Sequence, residues 1–141
     1  MGSWGVQIRR ATRADACEVL KLWRQADAHP THTDDVASID RLIAHDPEAL
    51  LVAVDDGANV VGSVIATWDG WRGSIYRLVV APGHRRRGLG RQLLRAGEDR
   101  LRNKHAVRLQ AIVVETDVNA CAFWRSSGWE EQVERIRFVK G

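Results

Sequence analysis

The apolar positions of this chain change period several times. Val6-Gln7-Ile8-Arg9 alternates like a short strand. Val19, Leu20, Trp23 and Ala26 then recur at helical spacing, and Thr12 followed three residues on by Asp15 is a variant capping box, so a first helix is predicted over 13–27. Beyond the loop His29–Thr33, a second apolar face (Val36, Ile39, Leu42, Ile43) predicts a helix capped by Asp34 or Asp35 and ended before Pro47. Ala49–Asp55, Val60–Asp69 and Arg72–Val80 read as strands of an antiparallel meander, turned at Asp56–Asn59 and at Asp69-Gly70. Leu89, Leu93, Leu94, Gly97 and Leu101 predict a long helix from Gly88 to Asn103. Arg108–Val114 reads as a fifth strand, Asn119–Ser127 as a short helix and Gln132–Val139 as a last strand. The order β-α-α-β-β-β-α-β-α-β predicts a mixed α/β fold, with one sheet and helices on both faces.

Composition narrows the class without changing that picture. A chain of 141 residues with 45% hydrophobic and 28% charged positions fits one domain spanning 1–141. No apolar run approaches the ~20 residues that span a bilayer, and the longest, Ala49–Val54, is strand length. The first residues lack a signal-peptide stretch, which predicts a cytoplasmic protein. Cys17 and Cys121 form no disulfide framework and have no neighbours at zinc-ligand spacing; they are expected as two buried, reduced thiols, with no metal site.

Charge adds more. The net value of +3 conceals two opposed regions: His84–Lys104 carries a local +6, whereas Asp27–Asp56 carries a local −7. A uniformly basic nucleic-acid surface is therefore not expected, nor is membrane association.

The basic region opens on Leu78-Val79-Val80, turns at Ala81-Pro82-Gly83-His84, and starts a helix with Arg85-Arg86-Arg87-Gly88-Leu89-Gly90-Arg91. A helix start leaves backbone N–H groups unpartnered and adds the positive end of the helix dipole. Gly88 and Gly90 remove Cβ atoms that would keep phosphate oxygens off those amides, and Arg85, Arg86, Arg87 and Arg91 can add charge-assisted contacts. The pattern points to a diphosphate, but it is neither a Walker loop nor a dinucleotide fingerprint. A solvated basic helix start and a nucleic-acid patch are the competing readings.

With these residues, the chain resembles the GNAT superfamily of acyl-CoA-dependent N-acyltransferases. The signature Gln/Arg-x-x-Gly-x-Gly/Ala is met by Arg85, Gly88 and Gly90, and a second family element is met in register by Asn119, Ala122, Phe123 and Gly128. The resemblance covers nearly the whole chain. It implies acetyl-CoA as co-substrate, with the backbone of Leu78, Val79 and Val80 pairing with the pantetheine arm. It also implies amides near Leu78 on the thioester oxygen, and amides from Arg86 to Arg91 on the pyrophosphate. Asn119 would bond the pantetheine, with Phe123 and Trp124 beside it; for Phe123, helix packing is an equal alternative.

The catalytic groups follow less directly. Many relatives use a tyrosine as acid where this chain has Trp124, whose indole N–H is far too weak. Tyr76 is the chain's one tyrosine, and strict alternation puts it on the face of Leu78. It is either an acid or water-positioning group, or a half-buried strand tyrosine. The glutamate positions of relatives fall on Ser74 and Val114, so no carboxylate is a base in register. His32, Asp34 and Asp35, with Trp68, Asp69 and Trp71, are expected to rim the acceptor site and to favour a cationic amine; helix capping and turn packing are the alternative. The resemblance thus predicts direct acetyl transfer to a primary amine by a monomer or homodimer. The alternative is a catalytically degenerate acyl-CoA sensor.

Overall fold

The alternating segments become a ladder of neighbouring strands. In the computed structural model, which describes residues 5–26 and 28–141, β1 (Gln7–Arg10), β2 (Leu50–Val54), β3 (Val60–Trp68), β4 (Gly73–Val80) and β5 (Leu109–Ala111) form a five-stranded sheet in that order. β1 to β4 pair antiparallel, and β4 pairs parallel to β5. The helices are α1 (Ala16–Gln25), α2 (Val36–His45), α3 (Leu89–Asn103) and α4 (Val118–Ser126). The mixed α/β class predicted from element order is the one observed. Among the described residues no helix is long and apolar enough to cross a membrane.

The chain divides into two compact units, one ending at Ala111 and the other running Ile112–Gly141. In the first, the sheet is covered on both faces. β3 is buried continuously from Val61 to Ala66, and its alternate residues meet different helices. Ile65 joins a core with Val19, Trp23, Ile39 and Ile43 of α1 and α2. Val64 and Ala66 lie on the other side against Gly97 of α3, where a Cβ would come within 3.2 Å of Ile75 Cδ1. Glycine at 97 therefore lets α3 approach the sheet closely, and Leu93, Leu94 and Leu101 complete that layer. A strand buried on both faces loses its polar alternation, which is why β3 reads as an apolar run.

Local signals hold at the helix starts. Thr12 and Asp15 form the capping box, Asp15 also pairs with Arg9 at 2.8 Å, and a 3-10 turn (Arg13–Asp15) leads into α1. Asp35 is the residue that caps α2, its carboxylate accepting from the Ser38 amide at 2.7 Å. The predicted end of the first helix at Asp27, and the chain start Met1–Trp4, lie outside the described residues.

Three expectations are corrected. Gln132–Val139 forms no strand: it is exposed throughout, with Val133 out of phase with Ile136 and Phe138, so no single apolar face exists to dock. The fifth strand is Leu109–Ala111 rather than 108–114, because β4 offers it only Gly73–Ile75 as partners. Cys17 is exposed, not buried, since α1 turns Ala16, Val19, Leu20 and Trp23 inward and leaves position 17 outside; Cys121 is half-buried, and both are free thiols.

Candidate active site

The glycine-arginine segment builds an open helix start. A 3-10 turn (Pro82–His84) follows β4, Arg86 takes φ +64, and Gly88 takes φ +78 immediately before α3. No side chain caps this end, and the Gln92 amide donates to the Gly88 carbonyl at 3.1 Å. A Cβ at Gly88 would meet nothing within 4 Å, so the space before the helix is clear. Arg86, Arg87 and Arg91 are exposed around it, Leu89 is buried as the helix anchor, and Gly90 is half-buried in the first turn. Arg85 is placed differently: its guanidinium turns back to the Val80 and Ala26 carbonyls, both at 3.3 Å. It fastens the turn to the backbone of Val80 and Ala26, and α3 starts beyond it without a side-chain cap.

The strand leading into this turn is irregular. Tyr76 pairs with Ile65 and Val79 with Ser63, so β4 carries one residue more than β3 between those pairs. Arg77 and Leu78 have no partner position, and Arg77 takes φ +49. That is a β-bulge. The left-handed region costs a non-glycine residue roughly 1–2 kcal/mol, so tertiary contacts must hold it. On the other edge β5 stops at the level of Ile75, and Tyr76–Val80 have no strand partner there among the described residues.

The bulge corrects the expected face of Tyr76. Tyr76 lies opposite Ile65 on the α1 side, whereas Leu78 falls on the α3 side with Val80, whose partner Gly62 faces Leu93. The extra residue inverts the alternation, so Tyr76 and Leu78 do not share a face. Tyr76 is 46% exposed and has open access to solvent. Ser74, two residues earlier, accepts from Gln110 Nε2 at 3.2 Å.

What holds the bulge escaped the sequence reading. Trp23 Nε1 donates to Ser63 Oγ at 2.9 Å, and Ser63 Oγ donates to the Arg77 carbonyl at 2.8 Å. The Arg77 guanidinium lies 5.1 Å from the Trp23 ring centre and pairs with Asp34 at 2.5 Å. The signal was a single polar residue, Ser63, inside the apolar run Val60–Ala66. A buried polar side chain needs partners.

The six predicted rim residues are not brought together. Asp34 is taken up by Arg77 and by the Thr31 amide at 3.0 Å, and Asp35 by its cap. The Ser38 backbone amide holds the Asp35 carboxyl below its ordinary range. His32 is exposed in the same loop. Trp68 and Trp71 stand at the opposite end of β4, with Trp68 continuing the series Val64 and Ala66 on the α3 side. Asp69 there accepts from the amides of Arg72 at 2.7 Å and Trp71 at 2.8 Å, which hold its carboxyl low. The Arg72 guanidinium stacks 4.2 Å from the Trp71 ring centre.

In the second unit, Asp117 caps α4 through the Ala120 amide, and Asn119 is exposed in the first turn. Phe123 and Trp124 are half-buried and meet edge to face with ring centres 5.9 Å apart; Trp129 packs on Trp124 at 4.7 Å.

Residues 15–129 match the acetyltransferase (GNAT) family. An acetyltransferase of Yersinia enterocolitica is 35% identical over 127 residues, covering 90% of this chain and 89% of that protein. The chain belongs to the GNAT acetyltransferase family. Solved GNAT-fold structures superpose over nearly its full length. An aminoglycoside antibiotic 6'-N-acetyltransferase of Acinetobacter haemolyticus reaches a TM-score of 0.76 at 20% identity, covering 96% of this chain and 98% of that one. An aminoglycoside N-acetyltransferase solved in complex with CoA reaches 0.73 at 20% identity, covering 96% and 94%. Acetyl-CoA is the acetyl donor of the GNAT family.

Proposed function

We propose that this chain is an acetyl-CoA-dependent N-acetyltransferase that transfers the acetyl group directly to a primary amine of a small molecule or protein, without a covalent enzyme intermediate. The observation that carries this reading is the β4–α3 segment. A strand edge without a partner from Tyr76 to Val80 leads into an uncapped helix start at Gly88 with clear space before it.

Each part has a chemical task. The amides of the first turn of α3, with the guanidinium groups of Arg86, Arg87 and Arg91, hold the pyrophosphate. The Leu78–Val80 edge pairs with the pantetheine arm as an added strand would. Asn119 is assigned to that arm from its motif position alone. The acceptor nitrogen attacks as a neutral amine: the N–C bond forms, the C–S bond breaks, and the proton leaving nitrogen ends on the CoA sulfur. Backbone N–H groups of the Arg77–Leu78 bulge hold the negative charge that gathers on the thioester oxygen. The Tyr76 hydroxyl, exposed beside the bulge, delivers the proton to sulfur or orders a water that does. Every rim carboxylate already has a partner within the chain, so the acceptor is read here as a primary amine without a charge class. The reaction is placed in the cytoplasm.

Calorimetric titration with acetyl-CoA tests the donor, and absence of binding at millimolar concentration overturns the reading. Release of CoA thiol across a panel of lysine, spermidine, an aminoglycoside and short peptides tests the chemistry. Turnover of any one removes the alternative of a donor-binding sensor. Tyr76→Phe is expected to lower turnover on the order of a hundredfold, and unchanged turnover removes Tyr76 from the mechanism.

A further inference from the structure

Arg77 occupies an unusual position for its residue type. It takes φ +49 with no glycine to permit it, yet its side chain is only 15% exposed. The residue is gripped at both ends. Its carbonyl accepts from Ser63 Oγ, which in turn accepts from Trp23 Nε1. Its guanidinium donates to the carbonyls of Ala28 and His29, both at 3.2 Å, to Thr31 Oγ1 at 3.3 Å, and to Asp34 Oδ2 at 2.5 Å. Trp23 serves both ends, since its ring also lies beneath the guanidinium.

The loop between α1 and α2 is organised by the same atoms. Asp34 Oδ2, the oxygen paired with Arg77, also accepts the Thr31 amide, and Asp34 Oδ1 accepts from Thr31 Oγ1 at 3.3 Å. One carboxylate therefore closes the 31–34 turn and anchors the bulge. Loop and bulge lie far apart in sequence and are joined through the Arg77 side chain. An arginine fork with four acceptors fixes direction as well as distance, which a lysine could not do.

We propose that Arg77 is a positioning residue, which sets the direction of the bulge amides and orders the 28–34 loop together, so that the acyl-carbonyl site and this loop form as one unit. The inference rests on the reading of the bulge as the thioester-polarising site. Most of the donor's grip lies outside the bulge, at the start of α3 and along Leu78–Val80, so Arg77 acts chiefly on turnover and little on donor affinity.

Arg77→Met removes the fork and keeps the stem. Arg77→Gly also removes the fork but suits the positive φ, so it keeps the backbone conformation accessible if the methionine variant folds poorly. In both, amide hydrogen exchange over 28–34 is expected to rise at least about tenfold, because the closing bonds are lost. The acetyl-CoA dissociation constant should stay within about threefold, while kcat for the amine turned over best falls about tenfold or more, as for a partly misdirected oxyanion donor. Arg77→Lys should recover part of kcat. Asp34→Asn combined with Arg77→Met should be no worse than Arg77→Met alone, since both break one connection. Unchanged exchange together with unchanged kcat in the methionine and glycine variants overturns the role. So does a loss confined to thermal stability, with kcat and the amine KM intact. A wild-type chain that binds no acetyl-CoA overturns the acetyltransferase reading instead, and that result precedes any variant.

Discussion

The start of α3 and the bulge of β4 both depart from regular backbone, and they do so by opposite means. The helix start is local. Consecutive residues make most of it: Gly88 takes a left-handed turn two residues after Arg86 does, no side chain caps the helix, and a Cβ at Gly88 would meet nothing within 4 Å. The bulge is assembled from afar. Arg77 takes a positive φ without glycine and is held by Ser63, 14 residues away, and by Asp34, 43 residues away. Local chemistry is enough to grip an anion, which needs only converging N–H groups and charge. Aligning a carbonyl for attack requires direction, and direction comes from packing that spans the fold.

Variants at the two regions should therefore fail differently. The largest effect is expected from Gly88→Val. The left-handed conformation alone costs a β-branched residue roughly 1–3 kcal/mol, and the new side chain projects into the clear space. Acetyl-CoA affinity should fall about a hundredfold or more by calorimetry, with little change in the exchange of loop 28–34. Equal loss of loop protection would break the separation of the two regions.

Ser63→Ala comes next and strikes only the bulge. Ser63 is fully buried between the Trp23 indole and the Arg77 carbonyl, so its loss leaves a donor and an acceptor unpaired. Destabilisation of about 1–3 kcal/mol is expected in denaturant unfolding, with donor affinity retained. A smaller effect belongs to Arg91→Gln, which removes one exposed cation from the helix start. Affinity for CoA should weaken about twofold to fivefold, with a shallower dependence on salt. No change in that salt slope would take Arg91 out of the phosphate contacts.

The smallest effect lies outside both regions. The Asp15 carboxyl is held below its ordinary range, chiefly by its hydrogen bond from Arg9. A lowered folded-state pKa contributes stability that is present above the unfolded value, near 3.9, and lost as pH falls through the folded one. Asp15→Asn should remove that part of the acid dependence, below about 1 kcal/mol for a pair whose arginine is exposed to solvent. Acid unfolding followed with and without the substitution measures it, and donor binding and turnover should not move.

Legibility followed the same division. The caps at Thr12 and Asp35, the meander and the amphipathic stripe of α3 rest on neighbours within a few residues, and each formed where the pattern put it. The helix start at Gly88 was legible for the same reason. The face of Tyr76 was not, because one extra residue in β4 inverts a period-two argument and nothing local announces it. Asp34 looked like a free rim carboxylate because its partner Arg77 sits 43 positions downstream. Gln132–Val139 looked like a strand because β-rich composition says nothing about a partner edge.

By itself, then, the sequence determined the element order as far as α4, the mixed sheet with helices on both faces, and an arginine-glycine helix start of the GNAT type. All of these depend on side-chain period and on backbone groups only a turn or two apart. Tertiary structure alone decided where β4 bulges, which way Tyr76 points, and that Arg77 joins the α1–α2 loop to the bulge. Those outcomes depend on register between distant strands and on buried hydrogen bonds, whose partners exist only once the sheet has closed around them.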